Sequence, residues 1–178
     1  MSEEKKEPWL NYLALTTVIL AVAATMATFK GGGFSTRAML SQVKASDQWA
    51  FYQSKSLKSY LYETAAVQME LQKAALPANA PKQVAEDYAK RIADFKGKIA
   101  KYEQDKADIT KEAKAFEQAR DDAQKHGSLF GLAVIFLQIS ILLSSIAALL
   151  KKRPVWLLGL MVGAVGLLYF ANGFFMFF

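Results

Sequence analysis

The sequence predicts an all-α integral membrane protein in which a long, coiled-coil-like antiparallel helical hairpin separates the first of three transmembrane helices from the other two. Two observations carry this. The stretches Trp9 to Phe29, Leu129 to Leu150 and Val155 to Phe178 contain no Asp, Glu, Lys or Arg, and each reaches the roughly 20 residues a helix needs to cross a bilayer. Between the first and second stretches, apolar residues recur at helical steps on both sides of a short turn, LPANAP.

Taken in order, residues 1–8 form an amino-terminal tail with Lys5 and Lys6, followed by a transmembrane helix over 9–29. The small residues AVAATMA at 21–27 resemble the end of a signal peptide, but the run is long enough to span, so a retained anchor is expected. An extramembrane hairpin occupies 30–128. It opens on a hinge at Gly31, Gly32 and Gly33, continues as a helix from about Ser35 to Leu76, turns, and returns as a helix from about Pro81 to His126. Helices joined by so few residues return antiparallel. A second transmembrane helix over 129–150, a basic loop over 151–154 and a third transmembrane helix over 155–178 complete the chain.

The second arm carries a heptad-like seam through Ala85, Tyr88, Ile92, Phe95, Ile99, Tyr102, Ile109, Ala113, Phe116 and Ala123. Lys106 and Arg120 fall on that seam, where long stems can lie along the interface while their charges reach water. The first arm has two stripes, one through Val43, Ala50, Leu57, Leu61 and Leu71, the other through Trp49, Tyr52, Tyr60 and Val67. One partner helix covers only one stripe, so the other predicts contact with a neighbouring subunit. Trp49 and Tyr52 share a helical face and Phe51 points elsewhere. Packing is the expected role of this aromatic group.

The order of transmembrane run, glycine triplet, ASDQWAFYQSKSLK over Ala45 to Lys58, long helix, and two apolar helices split by KKR resembles the bacterial membrane proteins grouped as DUF4337. The resemblance implies a bacterial membrane setting. It implies no catalytic residue.

In the third apolar helix, Gly159 and Gly163 form GxxxG and Gly166 extends the same face, a pattern that lets helix backbones approach closely. Thr17, Ala21, Ala24 and Thr28 make a small stripe on the first helix, and Ser140, Ser144 and Ala147 make one on the second. Trp9 and Trp156 fall at expected membrane interfaces, as do Lys151, Lys152 and Arg153. The cluster Phe170, Phe174, Phe175, Phe177 and Phe178 is expected to pack on lipid tails or a partner. Short basic loops stay cytoplasmic, so KKR predicts a cytoplasmic amino terminus and a hairpin on the far side of the membrane, which in the bacterial setting implied by the resemblance is the periplasmic side of the inner membrane.

Little in the sequence points to chemistry. There is no Cys, and His126 is the one His, which leaves no thiolate site, no His-based metal cluster and no usual triad. His126 is expected at a helix carboxyl end, interacting with its dipole. Glu86 with Asp87, and Asp121 with Asp122, are adjacent and do not face one another on a helix. Residues 30–128 hold 17 basic against 13 acidic groups, hence +4 of the formal +6. That is too sparse for the dense basic stripe of a nucleic-acid binder. No cofactor and no small-molecule substrate is expected, and no enzymatic role. The expected function is structural: a homo-oligomeric membrane scaffold, or an accessory subunit of a larger membrane complex. The alternative is a homo-oligomeric channel with a polar lining around Gln138, Ser140 and Ser144.

Overall fold

A computed structural model describes residues 8–177. Among them are three α-helices and no strand: α1 (Trp9–Ala74), α2 (Lys82–Leu150) and α3 (Arg153–Phe175). Each contains a stretch long and apolar enough to cross a membrane. Lys5, Lys6 and Phe178, which the sequence assigns to the tail and the terminal Phe cluster, lie outside the described residues.

Two expected breaks are absent. α1 passes through Gly31, Gly32 and Gly33 without interruption, and no described glycine has positive φ. A glycine inside a helix costs about 1 kcal/mol relative to alanine, which a 66-residue helix absorbs. α2 likewise continues past His126 to Leu150. His126 is therefore not at a helix carboxyl end, and the dipole role expected for it does not apply.

The real ends have local causes. Pro77 follows α1, and Pro81 leads into α2, with Val84 N–H donating to Pro81 O at 3.0 Å. α2 closes with Lys151 left-handed (φ 50) while Lys152 N–H donates back to Ala147 O at 3.2 Å, the six-to-one bond of a Schellman end. Pro154 sits in the first turn of α3, and Met176 (φ 53, ψ 51) caps its other end through an N–H bond to Asn172 O. The basic loop thus shortens to Lys151 and Lys152, since Arg153 is already helical.

The described residues divide into two compact units: one holds residues 8–40 and 119–177, the other Ser41–Gln118. In the first, α1 buries Leu13, Leu20, Ala23, Ala24 and Ala27. This differs from the stripe expected from small residues, since Ala21 and Thr28 are exposed. Thr17 and Thr28 instead donate to carbonyls on their own helix, Leu13 O at 2.8 Å and Ala24 O at 2.9 Å. Ser140, Ser144 and Ala147 of α2 are fully buried, as their stripe predicts.

In the second unit, every seam residue of α2 from Ala85 to Phe116 is buried or half-buried. The α1 residues buried here are small: Ser41, Ala45, Ser59 and Ala66.

Candidate interaction surfaces

Four glycines seat α3. A methyl group added at Gly163 would stand 2.7 Å from Ser140 Oγ, one at Gly166 2.9 Å from Leu137, and one at Gly173 2.9 Å from the Phe130 ring. At Gly159 it would meet Leu143 at 3.2 Å and Ser140 O at 3.3 Å. The approaches at Gly163, Gly166 and Gly173 are closer than side chains tolerate and that at Gly159 is tight, so the expected small-residue face of Gly159, Gly163 and Gly166 is a helix contact within the chain. Ser140 Oγ donates to Gly159 O at 2.6 Å and joins the two backbones. Ser144 Oγ, one turn along, is buried with no hydrogen-bond partner.

This arrangement separates the residues suggested as a pore lining. Ser140 and Ser144 are enclosed in the helix contact, whereas Gln138 is exposed. The three do not share a surface. Trp9 and Trp156, both expected at membrane interfaces, meet each other with ring centroids 6.0 Å apart. Both are buried, and Trp156 Nε1 donates to Thr16 Oγ1 at 3.2 Å. Lys151, Lys152 and Arg153 are exposed.

Sequence reasoning missed an aromatic group around Phe130. That ring is fully buried and meets Phe34, Phe170 and Phe174 at centroid distances of 5.8, 6.0 and 5.0 Å. Phe170 and Phe174 of the terminal cluster therefore meet Phe130 within the chain, although Phe174, like Phe175 and Phe177, keeps an exposed side. Phe34 stacks on His126 at 4.7 Å, and His126 Nδ1 lies 2.7 Å from Gly173 O. A contact between residues 47 positions apart leaves no periodic trace in the sequence.

In the Ser41–Gln118 unit, α1 and α2 are joined by polar contacts: Gln48 with Glu112 at 2.9 Å, Trp49 Nε1 with Glu117 at 2.8 Å, Lys55 with Asp105 at 2.7 Å, Ser59 with Glu103 at 3.0 Å and Glu70 with Lys96 at 2.8 Å. Trp49 and Tyr52 are half-buried and in edge contact at 5.6 Å. Tyr60, expected with them, is 65% exposed. The Lys106 stem is tucked against the seam as expected, with its ammonium 2.7 Å from Glu103 and 5.6 Å from the Tyr52 ring. The hydrogen bond with Lys106 holds the Glu103 carboxyl below its ordinary value, aided by Ser59, and the same bond raises the Lys106 ammonium. Arg120 reaches Asp121 at 2.7 Å.

The outer side of α1 in this unit differs from that of α2. Val43, Ser46, Ala50, Gln53, Leu57, Tyr60, Thr64, Val67 and Leu71 follow one another at steps of three and four, all are exposed, and none is charged. Neither stripe expected on this arm predicts this face alone; it draws on both. Elsewhere on its surface α1 exposes Lys44, Asp47, Lys58 and Glu63, and exposed positions of α2 include Asp87, Lys90, Asp94, Lys101, Asp108 and Lys111.

Three helices, each with a stretch long and apolar enough to cross a membrane, give the chain the composition of a membrane protein. The chain belongs to the family described as a domain of unknown function (DUF4337), whose model matches residues 9–176. No curated protein and no solved structure matches it.

Proposed function

We propose that this chain is a membrane-anchored structural protein that associates with copies of itself through the outer face of α1. In this reading the three apolar stretches cross the bilayer, and 30–128 forms an antiparallel hairpin beyond it. The cross-helix pairs support the hairpin, since partners fall in number along α2 as they rise along α1 from Ser59 to Glu70 and from Gln48 to Lys55. No catalytic step is part of the proposal.

The observation that carries it is the uncharged face. Leu57 and Leu71 are 62% and 67% exposed, on a helix whose partner arm turns charged groups outward. Exposed apolar strips of this kind mark contact surfaces. A heptad reading puts Val43, Ala50, Leu57, Thr64 and Leu71 at one repeat position and Ser46, Gln53, Tyr60 and Val67 at the other. Two copies inserted the same way in one bilayer present this face in parallel, with no like charges opposed along the seam.

Because the chain has no Cys, the test has no background. Leu57→Cys, oxidised in native membranes, is expected to give a disulfide-linked pair of chains, and Lys111→Cys on the outer side of α2 is not. Mass in mild detergent should be a multiple of 19.7 kDa. A single-chain mass with no cross-link refutes self-association. A stoichiometric foreign chain would replace the scaffold reading by that of an accessory subunit.

A further inference from the structure

We infer that α1 carries a binding site for the phosphodiester headgroup of an anionic glycerophospholipid, centred on Gly33 between Lys30 and Arg37. The inference does not require copies of the chain to associate. An open groove of about 560 Å³ runs over this turn, with Phe29, Lys30, Gly32, Gly33, Thr36 and Arg37 among its walls.

Glycine inside a helix is unfavourable by about 1 kcal/mol relative to alanine, so each such residue calls for a cause. Gly31 has one inside the chain, because a methyl there would press on Phe130 Cβ at 3.2 Å. Gly32 and Gly33 have none: a methyl at either position meets nothing within 4 Å. Gly97 and Gly131 are equally open, but no charged residue adjoins Gly131 in sequence, and Lys96 and Lys98 beside Gly97 are each paired with a carboxylate.

Lys30 and Arg37 are different. No carboxylate lies within ion-pair distance of either among the described residues, and their contacts are with ring faces, Lys30 over Phe174 and Arg37 over Phe34, each at 5.7 Å. The described carboxylates of this unit, Asp121 and Asp122, pair with Arg120 and Lys125. The first acidic residue of α1 is Asp47. Lys30, Gly33 and Arg37 follow at steps of three and four and so share a face. The Thr36 hydroxyl donates to Gly32 O at 3.0 Å, which leaves the two cations as the side-chain donors over the glycine.

Charge selects the occupant. A second copy of this face would set Lys30 and Arg37 against their twins, which is repulsive, whereas a phosphodiester offers acceptors suited to a guanidinium and an ammonium. Position selects an amphiphile, since Lys30 is the first charge after the uncharged run and Phe29, 79% exposed, walls the apolar end of the groove. Basic groups at this level attract anionic lipid.

The test uses the full chain in an uncharged detergent, titrated with phosphatidylglycerol and followed by native mass spectrometry of retained lipid. The double variant Lys30→Gln with Arg37→Gln should lose at least about tenfold in retention, from two cations near the headgroup. Gly33→Leu, which fills the groove without meeting the rest of the chain at its Cβ, should lose a similar amount. Lys58→Gln with Lys114→Gln removes equal charge elsewhere and should retain lipid as the wild type does. Equal loss in that control, undiminished retention by Gly33→Leu, or equal retention of phosphatidylcholine overturns the proposal. Displacement of the lipid by millimolar inorganic phosphate would make the ligand a soluble anion, and overturns the lipid assignment.

Discussion

Ser140 and Ser144 are one turn apart on α2 and equally buried, yet their hydroxyls differ in what they do. Ser140 joins α2 to the backbone of α3, while Ser144 hides an unpaired oxygen. A buried hydroxyl without a partner is unfavourable by about 1–3 kcal/mol, so Ser144→Ala should leave stability unchanged or raise it. Gly163→Ala sets a methyl 2.7 Å from Ser140 Oγ and should lower stability by about 1–3 kcal/mol, the usual effect of overpacking. Thermal melting of both variants in one detergent checks the contrast, and equal melting temperatures would contradict the seating described for α3. The glycine face of α3 was legible because small residues at helical steps stand out among Leu, Val and Phe. The buried face of α1 was not, because a helix apolar all round offers no polar side from which to read its orientation.

Among the elements, what the sequence made plain was composition and period: uncharged runs, and the α2 seam from Ala85 to Phe116. What it hid was continuity. The glycine triplet is a local signal for a break, but Gly31 answers to Phe130, a residue 99 positions away. The same holds for His126, read as a helix end yet facing Gly173 O. The Lys106–Glu103–Ser59 contact gives the α1–α2 packing a pH signature. Glu103 is held below the ordinary carboxylate value by its hydrogen bond with Lys106, so its contribution is present above that ordinary value and is lost as pH falls through the depressed one. Lys106 is raised above 10.5, so its contribution is present below that value and is lost as pH rises through the raised one. Glu103→Gln should therefore lower the urea midpoint at pH 7 by a small amount, because the Glu103 carboxylate is about half exposed and solvent screens the pair. That difference should shrink at pH 3, and an identical difference at both pH values would rule out the charged contact.

For the molecule as a whole, the orientation proposed from the KKR loop places the turn at Asn79 beyond the cytoplasmic membrane. With no Cys elsewhere, Asn79→Cys should react with an impermeant thiol reagent in intact cells, and Lys152→Cys should react only after the cells are opened. The opposite pattern would invert the topology. Sequence reading reached this scale through charge alone, since the positive-inside bias depends on short loops and not on packing. The crowding at Gly159, Gly163, Gly166 and Gly173 has one further consequence. At each of these places the chain relies on a hydrogen atom where any other amino acid would bring carbon, so α3 is seated by what is missing. Variation that strengthens helix propensity, usually a benign drift, would here lever α3 out of its groove.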